Sequence, residues 1–174
     1  IDSLSVVIPT YNEAANVAKL VRRLKDALAG LRVEVLFVDD SPTQETVEAI
    51  RLAEMELSTP EFQVHWYYRG EDSWGGLSGA VSDGLYQALY ETVVVMDGDL
   101  QHPPEAIPSM LAKAESTNSV VIASRYCDGG SAHGLSGVVR GLVSWGSTKL
   151  AKMLFPLALR GVTDPMTGFF LVRR

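Results

Sequence analysis

Cysteine is nearly absent: Cys127 is the one example in 174 residues. No intrachain disulfide can form, a reducing compartment is compatible, and the thiol is structural by default. Basic residues are also scarce, with 15 Lys and Arg against 21 Asp and Glu and a net charge of −6. That balance argues against a nucleic-acid binder, whose affinity comes largely from a basic face. No apolar run approaches the roughly 20 residues of a membrane-spanning helix, and no signal-peptide pattern follows Ile1. The glycine-rich stretch Gly75, Gly76, Gly79 has neither the G-x-G-x-x-G nor the G-x-x-x-x-G-K-[ST] spacing, so a dinucleotide fold or an ordinary NTPase loop finds no support. His65, His102 and His133 lack metal-ligand spacing and read as structural or exposed, with His102 alone near the acidic motif described below. What remains, 47% apolar and 21% charged residues, fits one globular domain over residues 1–174 with a sizeable core.

The chain alternates two periodicities. Ser5 to Ile8 read as a strand whose ladder Pro9 ends, and Asn12 is placed to cap a helix carrying Val17, Leu20, Val21, Leu24 and Leu28 on one face. Val33 to Val38 form a second strand delivering Asp39 and Asp40, and Pro42 and Thr43 open a second helix with Val47, Ile50, Ala53 and Leu57 as apolar positions. Phe62 to Tyr68, including Trp66 and Tyr67, make a third strand. The glycine loop then opens a helix from about Leu77 to Tyr90, and its free N–H groups suit a phosphate or carboxylate. Trp74, in that loop, is expected to pack on its own scaffold. Val93 to Met96, a short helix after Pro104, and Ser119 to Ser124 complete five strands. The pattern predicts an α/β fold with a mainly parallel central sheet and helices on both faces. Ligands bind such sheets beyond the carboxyl ends of the strands. Tyr11, Asn12, Glu13, Asp39, Asp40, Asp97, Asp99 and Arg125 all follow such ends.

VVVMDGDLQHPPE, from Val93 to Glu105, is the most informative stretch. Asp97 and Asp99 are two residues apart on an extended segment and can face one space, while Gly98 lets a ligand approach the backbone. Paired carboxylates suit Mg²⁺ or a similar hard cation, which completes its shell with substrate phosphates and water.

SVVIPTYNE, VLFVDDSP, GGLSGAVSDGL, VVVMDGDLQHPPE, IASRY and VTDPMTGFFLVRR, in that order, resemble family 2 glycosyltransferases of the GT-A fold. Within that family the chain is most similar to the polyprenyl-phosphate (dolichol-phosphate) mannose synthases. The resemblance implies transfer of a sugar from a nucleotide diphosphate donor, GDP-mannose, to a lipid-linked phosphate. It implies that Pro9, Tyr11, Glu13 and Asp40 hold the nucleoside with Asp39 beside it. Asp97, Asp99 and Gln101 would surround the metal, Mg²⁺ or Mn²⁺, and the diphosphate, and Arg125, Arg140 and Ser144 would contact the acceptor phosphate. A typical member continues past the GFF strand, so the resemblance also implies a catalytic domain truncated after Arg174. It implies a cytoplasmic protein, peripheral at the cytoplasmic face of a membrane.

The chemistry follows independently. A diphosphate leaving group gains negative charge that a divalent ion on Asp97 and Asp99 stabilises. A phosphate monoester acceptor, with a second pKa near 6, is already largely anionic and needs no strong base. It needs orientation, for which the planar forks of Arg125 and Arg140 are the candidates. Attack opposite the leaving group inverts the anomeric centre. The segment from Leu135 to Leu159 has two readings: a core helix, or a basic amphipathic helix with Arg140, Lys149 and Lys152 lying on a membrane surface. Two rival functions remain. One keeps the fold and uses UDP-glucose with a lipid phosphate. The other is a phospho-receiver signalling domain, whose paired acids follow its first strand, whereas here SVVIPTYNE and a whole helix come earlier.

Overall fold

The period-2 and period-3.6 segments alternate along the chain and fold as strands and helices in turn. The computed structural model describes residues 1–70, 74–117, 120–124, 164 and 167–174. Strands β1 (Ser3–Thr10), β2 (Arg32–Asp39), β3 (Phe62–Tyr68) and β4 (Thr92–Val95) are separated by helices α1 (Ala14–Ala27), α2 (Glu45–Leu57) and α3 (Gly76–Gln87). A 3₁₀ turn at Pro104–Ala106 leads into α4 (Ile107–Thr117), followed by the two-residue β5 (Val121–Ile122) and by β6 (Phe170–Arg173). The sheet order is β3-β2-β1-β4-β6-β5. The first four strands are mutually parallel, while β6 runs antiparallel to both of its neighbours.

Side chains alternate across the sheet, and each face has its own core. Leu4, Val6 and Ile8 of β1 with Val35 and Phe37 of β2 pack under α1, α2 and α4, using Val17, Leu20, Ile50 and Ile107. Val7, Leu36, Val38, Val93 and Val95 face the other way, onto Ala80 of α3. All five predicted apolar positions of α1 are buried. Helices cover both faces as expected: among the described residues, α1, α2 and α4 lie on one side and α3 on the other.

Several local expectations are corrected. Pro9 does not end β1: it stands in register with Val38, and the strand runs on to Thr10. Val7 directs its carbonyl to Met96 on the β4 side and Thr10 directs its carbonyl to Asp40 on the β2 side. By alternation, the N–H that Pro9 lacks would face β4, which has already ended at Val95, so no ladder bond is lost. Asn12 does not cap α1. It takes φ 59° and gives its backbone N–H to Ser41 Oγ at 2.8 Å, leaving Glu13 at the N-cap position. The helix after Pro104 is an eleven-residue α4 rather than a short one. A sixth strand, β6, lies between β4 and the predicted fifth.

Candidate functional site

The carboxyl ends of β1, β2 and β4 and the amino end of α3 surround a cleft of about 490 Å³. Pro9, Thr10, Tyr11 and Glu13 line it from β1 and the turn into α1, and Asp40 lines it from β2. Gly76, Leu77 and Ala80 form the α3 wall, with Asp97, Gly98 and Asp99 facing in from β4. Six of the seven residues expected to hold a nucleotide sugar therefore meet in one cavity.

Asp39 is the seventh, and it is fully buried behind the cleft wall. Its Oδ1 accepts hydrogen bonds from Thr10 Oγ1 at 2.8 Å and Ser41 Oγ at 2.7 Å. Because Ser41 also takes the Asn12 N–H, Asp39 ties the β1 turn to the β2 turn. Alternation explains the division of labour. Asp39 shares the face of Val35 and Phe37, and the next residue turns toward α3 and the cavity.

Asp40 is held by Arg69, which sequence reasoning did not single out. The Arg69 side chain is only 4% exposed. Its Nη1 donates to both Asp40 oxygens, at 3.1 and 2.9 Å, and to the Gly76 carbonyl at 3.1 Å. Nη2 donates to the Trp74 carbonyl, and Nε lies 2.9 Å from Asp83 Oδ2. One planar cation thus fixes a cleft carboxylate to the loop that opens α3. Burial pushes the Asp40 carboxyl above its ordinary value; Arg69 opposes the shift, and Asp39 and Asp83 add to it. A Cβ on Gly79 would overlap the Trp74 carbonyl and stand 2.6 Å from Arg69 Nη2, so this helix position excludes a side chain. Trp74 itself is 87% exposed and does not pack on its scaffold as expected. The available signal was position: Arg69 directly follows β3, the same criterion that singled out the other candidates.

The acidic turn after β4 is shaped by its own side chains. Gln101 N–H donates to Asp99 Oδ1 at 3.0 Å, Asp97 N–H donates to His102 Nδ1 at 3.1 Å, and Leu100 takes φ 65°. A branched aliphatic residue in that region is held there by its surroundings. Gln101 is exposed. Hard oxygen donors on one cleft wall opposite a helix N-terminus can hold a divalent cation and the anion it neutralises. Among the described residues no group of three or more His, Cys, Asp or Glu is arranged around a metal position; a pair of carboxylates can hold a hard cation whose shell substrate phosphates and water complete. His65 Nδ1 is 3.4 Å from Glu34 Oε1 at a part-exposed position away from the cleft. Arg125, Arg140 and Ser144, together with Cys127, His133 and the segment from Leu135 to Leu159, lie outside the described residues. No described helix is long and apolar enough to cross a membrane.

This arrangement of sheet order, cleft and paired acids is the GT-A fold. Glucosyl-3-phosphoglycerate synthase of Mycobacterium tuberculosis superposes with a TM-score of 0.69 at 19% identity, over 99% of this chain and 57% of that one. A mannosyltransferase from Pyrobaculum calidifontis, solved in complex with GDP-Man and Mn²⁺, superposes with a TM-score of 0.56 at 25% identity, over 70% of this chain and 34% of that one. The sequence matches the glycosyl transferase family 2 profile over residues 5–174, and the chain belongs to that family. It is 37% identical to dolichol-phosphate mannosyltransferase of Pyrococcus furiosus over 98% of its own length and 46% of that protein. The chain spans about half the length of the curated mannosyltransferases it matches.

Proposed function

We propose that this chain is the donor-binding catalytic domain of a metal-dependent, inverting mannosyltransferase that uses GDP-mannose and a polyprenyl monophosphate. The observation that carries this reading is the meeting of Asp40, the α3 amino end and the Asp97/Asp99 pair in one cleft. The likeness to a dolichol-phosphate mannosyltransferase over almost the whole chain supports the acceptor class. The Pyrobaculum mannosyltransferase complex supports the donor and a divalent cation.

In this reading Asp40 accepts hydrogen bonds from nucleoside N–H or O–H groups, and Arg69 keeps that carboxylate in place from behind. Tyr11, 62% exposed at the cleft rim, offers its ring to the base. Asp97 and Asp99, with Gln101 beside them, hold the cation, Mg²⁺ or Mn²⁺, which when bound stabilises charge developing on the leaving diphosphate. Gly76 and Leu77, at the start of α3, line the same cleft, and the free N–H groups of a helix start suit that anion. In the same reading Arg125, Arg140 and Ser144 contact the acceptor phosphate, as the family resemblance implies, and the enzyme works peripherally at the cytoplasmic face of a membrane.

Calorimetric titration of GDP, GDP-mannose, UDP and UDP-glucose, each with Mn²⁺ and again with chelator, tests the donor. Metal-dependent binding of the guanosine ligands is expected, with Asp99→Asn abolishing most of the metal dependence. Binding confined to the uridine ligands would overturn the donor assignment, and failure of all four would overturn the site.

A further inference from the structure

Donor and metal binding as described above do not account for His102 or for the Gly168–Phe169 segment of the GFF motif. Both converge on Asp97. The Asp97 N–H donates to His102 Nδ1 at 3.1 Å, so the neutral ring carries its proton on Nε2, and Nε2 lies 3.7 Å from Asp97 Oδ2. The imidazole edge is thus presented twice to the same residue, once to its backbone and once to its carboxylate.

The ring is braced in turn. It stacks on Phe169 with centroids 5.1 Å apart and planes inclined by 17°. Phe169 is 2% exposed, takes a hydrogen bond on its carbonyl from Ala123 N–H at 3.0 Å, and donates its own N–H to Thr167 Oγ1 at 3.2 Å. Next to it, Gly168 lies directly behind the carboxylate. A Cβ there would stand 2.9 Å from Asp97 Oδ1 and 3.1 Å from Oδ2. A local turn and a segment about 70 residues away therefore form a fitted seat around one aspartate.

We propose that His102, braced by Phe169 and opposed by the bare backbone of Gly168, is a positioning residue that aims the Asp97 carboxylate at the divalent cation. The inference rests on reading the cleft as a metal-dependent nucleotide site. An unsupported aspartate has several staggered side-chain orientations, and only some direct an oxygen at a given point. Outer partners that orient a ligand typically change metal affinity by about 10- to 100-fold. A residue needed only to shape the turn would influence folding and leave metal affinity of the folded protein alone.

The test is Mn²⁺ binding at saturating GDP, read by electron paramagnetic resonance of the free ion, on the wild-type chain and on His102→Phe, His102→Asn and Gly168→Ala. Circular dichroism and melting of the metal-free proteins accompany it. His102→Phe keeps a ring on Phe169 and removes both nitrogens, so Mn²⁺ affinity should fall about 10- to 100-fold while the spectrum is retained. His102→Asn restores an acceptor for the Asp97 N–H and should recover part of the loss. Gly168→Ala displaces the carboxylate from behind and should weaken Mn²⁺ while sparing the His102 ring. Folded His102→Phe or, if that variant does not fold, folded His102→Asn and Gly168→Ala binding Mn²⁺ as tightly as wild type would overturn the inference alone. Absence of Mn²⁺ binding by the wild-type chain with GDP would overturn the site reading and the inference with it.

Discussion

Arg69 Nη1 donates to both carboxylate oxygens of Asp40, at 3.1 and 2.9 Å, while the other nitrogens of the same guanidinium reach Asp83 and the Trp74 carbonyl. Removing the cation leaves the largely buried Asp40 carboxylate facing an emptied position, with the half-exposed Asp83 beside it. Arg69→Met should therefore destabilise the fold by about 3 to 5 kcal/mol, the usual result of breaking one side of a buried ion pair. Arg69→Lys keeps the charge but replaces a planar fork by a single ammonium and should recover only part of the loss. Urea unfolding measures both, and a change well under about 1 kcal/mol for Arg69→Met would show that the clamp carries no stability.

Asp40 also gives a pH signature. Burial raises its carboxyl above the ordinary value of 3.8, so the folded chain binds this proton more tightly than the unfolded chain does. The stability linked to it is complete below 3.8 and is lost as pH rises through the folded value. Asp40→Asn lacks that titration. The unfolding free energy of the variant minus that of the wild type should increase from below about pH 4 upward and level off once folded Asp40 is ionised. A difference that stays flat across the acid range contradicts the burial argument.

The parts of the fold legible in the sequence are those fixed by local periodicity. Phe62–Tyr68 is a strand with the expected bounds, and the α1 face from Val17 to Leu28 is buried throughout. The resemblance to family 2 glycosyltransferases was legible because its six motifs stand in a fixed order along the chain, which needs no tertiary contact to be read. The misses are long-range. β6 enters the sheet by pairing Phe170 with Val95, 75 positions apart, and nothing in FFLVRR states that it runs antiparallel between β4 and β5. Asn12 has the composition of a cap, but its N–H is claimed by Ser41 across the cleft base. Arg69 and His102 show what they do only once Asp40 and Phe169 stand beside them. Each such contact depends on a second element whose placement local pattern does not encode.

Gly84 separates helix propensity from packing. Replacing it with Ala improves intrinsic helix formation by about 1 kcal/mol. A Cβ there, however, would overlap Val7 Cγ1 and stand 3.1 Å from Val38 Cγ2. Both valines are fully buried on the strands next to the cleft and have little room to move. Overpacking of that kind costs about 1 to 3 kcal/mol. With an overlap this close the upper end applies, so Gly84→Ala should lower the urea midpoint. A stabilised variant would mean that α3 can lift off the sheet at little cost.

Arg174 closes the opposite end of α3. Its Nη1 donates to the carbonyls of Leu85 and Tyr86 at 2.7 and 3.2 Å, and Nη2 donates to those of Ala88 and Tyr90 at 2.6 and 3.3 Å. Leu85 and Tyr86 belong to the last turn of α3, whose carbonyls lack intrahelical partners, while Ala88 is the C-cap and Tyr90 lies just beyond it; a cation there also opposes the helix dipole. Arg174 is exposed, so Arg174→Met should cost about 1 to 2 kcal/mol, below the full value of several charged hydrogen bonds. The loss should be local before it is global. Amide exchange should accelerate at Ala88, whose N–H bonds the Gly84 carbonyl, more than at the central strand β1. The amino end of α3 is fixed separately by Arg69, so Gly79 N–H, bonded to the Gly75 carbonyl, should keep its protection. Equal acceleration at Gly79 and Ala88 would mean that α3 opens as one unit and that Arg174 is not a local cap.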